Sequence, residues 1–80
     1  MTVPKAVVDY LSENAKRAGV AEPGADADLF RAGVLDSFSL FDLISILEEG
    51  CGIKVPDSDV NVANFQSVNA IGRYVESRKA

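Results

Sequence analysis

The 80-residue chain contains no histidine and a single cysteine, Cys51. Without histidine it lacks the usual general base for a serine or cysteine nucleophile and the commonest metal ligand. One cysteine excludes an internal disulfide. With no apolar secretory segment after Met1, that is the usage expected of a protein in a reducing cytoplasm. Cys51 itself is expected to be a small buried apolar residue. No apolar run approaches the ~20 residues that cross a bilayer, so no membrane partner is expected. Positive charge is scarce too: eight Lys and Arg face twelve Asp and Glu, for a net −4. That balance argues against nucleic acid, whose binding needs a basic face. The phosphate-cradling pattern G-x-x-x-x-G-K-[ST], the dinucleotide pattern G-x-G-x-x-G and the nucleophile elbow G-x-S-x-G are all absent. Asp57, Asp59 and Asn61 open like a calcium loop. Val62 then stands where glycine is needed and Val68 where the bidentate glutamate should be, so no metal is expected.

What is present is helix. The length suits one domain, residues 1–80, near the size at which a single core just suffices. The 48% apolar share gives no composition argument for disorder. Thr2-Val3-Pro4 reads as a helix start, and Val7, Val8, Leu11, Ala15 and Ala18 recur at helical spacing until Gly19. Glu22 to Asp28, with Pro23 and Gly24, reads as loop, followed by a short apolar turn at Leu29-Phe30. Asp36 suits an N-cap for a helix from about Ser37 to Glu49, stopped by Gly50 and Gly52. Ile53, Val55 and Pro56 read as an extended bridge, and residues 57–64 as room for a short helix. Ser67 caps a last helix carrying Val68, Ile71 and Val75, with Arg73, Arg78 and Lys79 toward its negative end. The expectation is an all-α bundle of three longer helices and one short one, with a long first loop and no strand.

The helix after Asp36 has two stripes. At about 100° per residue, Leu40, Leu43, Ile44 and Leu47 fill one core-facing sector. Phe38, Phe41 and Ser45 fall about 140° away, with Asp42 and Glu48 on either side. Two aromatics one turn apart, bordered by acids, suggest a partner surface; the alternative is filler partly covered by neighbouring residues. Ser37 also has two readings. Its hydroxyl sits where a phosphate ester would gain from the helix N-terminus, or it shares capping with Asp36. Charge is uneven as well: residues 36–59 hold six acids and one base, Lys54, a formal −5 against +1 for the remainder.

The stretch Leu35-Asp36-Ser37-Phe38 at the head of an acidic amphipathic helix resembles the acyl/peptidyl carrier proteins, whose signature is D-S-[LMIF] at the start of the second of four helices. The upstream "LFRAGVLDS", the exit "LEEGCGIKVPD" and the tail "NFQSVNAIGRYV" extend the likeness over most of the chain. The resemblance implies phosphopantetheine on Ser37, added from coenzyme A by a phosphopantetheinyl transferase that also uses Asp36. The terminal thiol of the arm would hold acyl or aminoacyl groups as thioesters. It further implies that Phe38, Phe41, Asp42, Ser45 and Glu48 meet the transferase, an acyl- or aminoacyl-loading ligase and downstream synthase enzymes.

Phe41, Ser45, Gly50 and Cys51 depart from the family's usual residues, and the dense acidity of bacterial fatty-acid carriers is missing. Those departures favour a discrete carrier of a specialised pathway serving polyketide, peptide or amino-acid-loading chemistry over housekeeping lipid synthesis, and the carrier is expected to be monomeric and non-catalytic. Met1 and the short tail lead to the same expectation of a free-standing protein. The rival is an unmodified helical interaction module using the Phe38/Phe41 patch. A hydrolase with Ser37 as nucleophile fits poorly, because no histidine base exists and no lysine is placed to replace it.

Overall fold

The computed structural model describes residues 3–79 and contains α1 (Lys5–Ala18), α2 (Ser37–Cys51), α3 (Val62–Phe65) and α4 (Val68–Lys79), with a single 3-10 turn at Asp57–Asp59. Thr2 of the expected helix start lies outside that range. Among the described residues there is no strand, which fits the four-helix expectation. Among the described residues no helix is long and apolar enough to cross a membrane.

Each helix end follows from local chemistry. At the start of α1, the Pro4 carbonyl accepts from the Val7 and Val8 N–H groups at 3.0 and 3.3 Å. At its end, Gly19 takes a left-handed φ of 72°, where a side chain would be strained. The Gly19 and Val20 N–H groups then donate back to Lys16 and Ala15, covering carbonyls that the helix leaves open. Lys16 and Arg17 sit in the last turn, where the helix dipole favours cations. α2 runs through Gly50 and stops at Gly52, the glycine with a left-handed φ of 66°.

The core gathers Val7, Leu11 and Ala15 of α1, Leu40, Leu43, Ile44 and Leu47 of α2, and Phe65, Ile71 and Val75 from the C-terminal half. Val8 and Ala18, expected on the same α1 stripe, are exposed instead. The stripe is therefore narrower than the sequence spacing suggests. Cys51 is half-buried and packs against the core.

The long first loop is not slack. Leu29, Val34 and Leu35 are buried in the core. The Leu29 N–H donates to Gln66 at 2.7 Å, and its carbonyl accepts from Val34 and Leu35 at 2.9 and 3.0 Å. Asn69 ties the loop to α4 by its N–H to Ala25 at 3.0 Å and its side-chain amide to Asp26 at 2.7 Å. These bonds satisfy backbone groups that burial of the loop would otherwise strand. At the opposite end of the chain, the Tyr74 hydroxyl donates to Asp59 at 2.7 Å, fixing the 3-10 turn to α4. Burial, and then the Asp59 carboxylate, push the Tyr74 phenol up to about 12.

Candidate functional site

The start of α2 is organised by Asp36. Its backbone is extended, and its carboxylate accepts from the N–H groups of Phe38 and Ser39, both at 2.9 Å. The Ser39 hydroxyl accepts from the Asp36 N–H at 2.8 Å, closing a reciprocal cap. The sequence reading identified Asp36 but missed Ser39, because the usual reciprocal partner at that position is Glu or Gln. The Ser39 N–H is the largest influence holding the Asp36 carboxyl below its ordinary range, followed by the Ser39 hydroxyl and the Phe38 N–H.

The depressed Asp36 pKa gives a signed pH dependence. The unfolded chain takes up the proton first as pH falls, so the cap's contribution is present above the ordinary carboxyl pKa of 3.8 and is lost as pH drops through the lower folded value. Thermal melts followed by circular dichroism should therefore decline on the acid side. Asp36→Asn, which keeps a capping oxygen, should decline less steeply than the parent. Equal acid-side slopes would show that the Asp36 carboxylate has no part in it.

With Phe38, Ser39 and Asp36 occupied in the cap, Ser37 stands apart. It is the first residue of a 15-residue helix, it is exposed, and its hydroxyl has no hydrogen-bond partner among the described residues. Asp36 already takes the Phe38 and Ser39 N–H groups, so what this helix start offers an attached phosphate is chiefly the positive end of its dipole. Ser39 is held by its cap, and Ser67 is buried with its hydroxyl accepting from the Ala70 N–H. Ser45 is exposed but lies further along the helix face.

The second stripe of α2 faces outward. Phe38 is 83% exposed and Phe41 62%, so neither is tucked under the loop or a neighbouring helix. Burying a phenylalanine side chain stabilises by ~1.5–3 kcal/mol. Folding forgoes that gain at both positions and leaves it available to an interface. Asp42 and Ser45 are exposed alongside them. Glu48 is placed differently: it is half-buried, and its carboxylate accepts from the Val55 N–H at 3.0 Å, pinning the bridge that follows α2. It borders the aromatic stripe but is engaged within the fold.

Tyr10 of α1, which the sequence did not single out, also reaches the head of α2. The Tyr10 hydroxyl lies 3.3 Å from both the Ser39 carbonyl and the Asp42 carboxylate. Burial raises the Tyr10 phenol, Asn14 opposes the rise, and the Asp42 charge adds to it. No periodicity in α1 marks this, because the contact spans 32 residues of sequence.

A four-helix bundle with an exposed serine at the head of its second helix, beside an exposed aromatic pair, is the arrangement that the resemblance to acyl/peptidyl carrier proteins implies. The description "phosphopantetheine attachment site" matches residues 5–75, from the first residue of α1 into α4. The chain belongs to this family, whose members hold a covalently attached phosphopantetheine. It is also similar to D-alanyl carrier proteins of Streptococcus pyogenes, among them those of serotype M5 (strain Manfredo), serotype M49 (strain NZ131) and serotype M1. Each is 45% identical over 51 residues, covering 64% of this chain. The match spans 65% of these relatives' own length, a little under two thirds.

Proposed function

We propose that residues 1–80 act as one carrier domain whose arm is esterified to Ser37, and that its cargo is a small aminoacyl group. One observation carries the assignment to Ser37: a free, exposed hydroxyl at the first position of α2, directly after the capping Asp36. When attached, the arm supplies a thiol that holds cargo as a thioester. The residues of the chain supply position. Asp36 and Ser39 fix the helix start, so the Ser37 oxygen is held outward where a transferase can reach it. The Phe38 and Phe41 rings offer apolar area beside it, and Asp42 and Ser45 border them. Catalysis belongs to the partner enzymes, and the chain works with them in the cytoplasm.

Likeness to D-alanyl carriers and a net charge of only −4 support aminoacyl over fatty-acyl cargo. This narrows the earlier expectation of polyketide, peptide or amino-acid-loading chemistry to amino-acid loading by an adenylating ligase. The test is intact mass after incubation with a phosphopantetheinyl transferase and coenzyme A, then with an amino-acid-activating ligase and ATP. One arm should be gained, followed by one aminoacyl group. No gain in the first step would favour the unmodified interaction module. Charging by a fatty-acyl ligase but by no amino-acid ligase would overturn the cargo.

The acidic segment 36–59 should steer these encounters. Its formal −5 makes the field one-sided, and exposed charges are screened beyond ~10 Å at 0.1 M salt. Association with the transferase, followed by stopped flow, should slow as salt rises. Reversal of Asp42 should lower the on-rate more than reversal of Asp9 or Glu76, which lie on α1 and α4. Equal effects, or rates indifferent to salt, would leave the segment as an ordinary solvated face.

A further inference from the structure

A groove of about 400 Å³ runs between α1 and the head of α2, lined by residues that include Tyr10, Asn14, Arg17, Val34, Phe38 and Asp42. It begins beside Ser37, since both of that residue's chain neighbours line it. Its walls are polar, but its hydrogen-bonding capacity is only partly used. One side-chain N–H of Asn14 donates to the Val34 carbonyl at 3.1 Å and the amide also bonds the Tyr10 hydroxyl, leaving its oxygen for other partners. Arg17 is the only cation in the lining, is exposed, and makes no ion pair among the described residues. Two carboxylates, Asp36 and Asp42, line the same groove.

We propose that this groove is the resting berth of the chain's own phosphopantetheine arm, with Arg17 as the cation that faces its phosphodiester. The proposal rests on Ser37 being the attachment residue. The argument is one of charge and chemistry. A phosphodiester on Ser37 would place an anion next to Asp36, and the repulsion is relieved by a nearby cation. Among the residues lining the groove only Arg17 can supply one, and its planar fork of donors suits phosphate oxygens. Beyond the phosphate the arm carries amides and a hydroxyl. These need donors and acceptors rather than an apolar slot, and Asn14, Tyr10 and Asp42 offer both. A weakly held arm would be shielded between encounters and released when a partner covers Phe38 and Phe41.

The experiment compares amide spectra of the 15N-labelled protein before and after arm attachment, with attachment confirmed by intact mass. The reporters are Tyr10, Asn14 and Arg17, which are remote from Ser37 in sequence. Their cross-peaks should move on attachment, and Arg17→Ala should reduce the moves at Tyr10 and Asn14 at least twofold while the mass gain stays complete. Moves confined to residues 35–40, or unchanged by Arg17→Ala, would overturn the berth and leave Ser37 as the attachment residue. Absence of any mass gain would overturn the attachment itself, and the berth with it.

Discussion

Replacing Ser37 with alanine should abolish attachment of the arm completely while leaving the fold intact. The Ser37 hydroxyl is exposed and has no partner among the described residues, so its removal should change stability by no more than about 0.5 kcal/mol. Three serines serve as controls. Ser39→Ala removes half of the reciprocal cap at Asp36 and should lower the melting temperature, yet still accept the arm. Ser45→Ala should be silent in both respects. Ser67→Ala removes the hydroxyl that accepts from the Ala70 N–H and should loosen the start of α4 without affecting attachment. Intact mass after incubation with transferase and coenzyme A reads the modification, and a denaturant melt reads the fold. A full arm on Ser37→Ala would overturn the assignment, and a gain lost in Ser45→Ala would move it.

The two stripes of α2 should separate stability from recognition. Leu43 is fully buried in the core, and its truncation to alanine should cost about 2–5 kcal/mol, the transfer loss plus a cavity. In a domain whose total stability is of order 5–15 kcal/mol, that is a large fraction. Phe41, 62% exposed, should cost within about 0.5 kcal/mol on the same change. Partner binding should respond in the opposite order. A residue that anchors the centre of an interface costs more than about 1 kcal/mol on truncation, so with Phe41 as such an anchor Phe41→Ala should weaken transferase binding fivefold or more. Leu43→Ala, measured where it remains folded, should bind nearly as well as the parent. Paired urea titrations and binding isotherms decide it: equal destabilisation by the two truncations would make Phe41 a core residue and remove the patch.

The parts of this protein that depend on neighbours within one or two turns could be read from residue order. Leu40, Leu43, Ile44 and Leu47 fall on one side of any helix built from that segment, and Phe38 and Phe41 on another. Asp36 can cap because its oxygen reaches N–H groups only two and three residues away. Gly19 ends α1 because a left-handed turn favours glycine wherever the helix packs. For the same reason the exposed serine after Asp36 was identifiable before any packing was known.

Elsewhere residue order left choices that packing made. Gly50 and Gly52 both could have stopped α2. The left-handed turn falls at Gly52, after which Ile53 enters the core, while Pro4 lies against the helical Gly50. Val8 and Ala18 share a spacing with Leu11 but face outward, since the width of a buried stripe is set by the elements packed on it. Glu48 sits on the wheel as a border of the aromatic patch, yet it is turned to the Val55 N–H, a group placed beside it only after the chain reverses. The first loop reads as polar and irregular, but Gln66 and Asn69, about 40 residues downstream, hold it against the bundle. The groove beside Ser37 is likewise a product of folding, because Tyr10, Asn14 and Arg17 meet the head of α2 only when α1 packs across it. Short-range hydrogen bonds and side-chain periodicity are properties of the local chain; contacts between distant segments exist only once loop-closure entropy has been overcome by burial of the shared core.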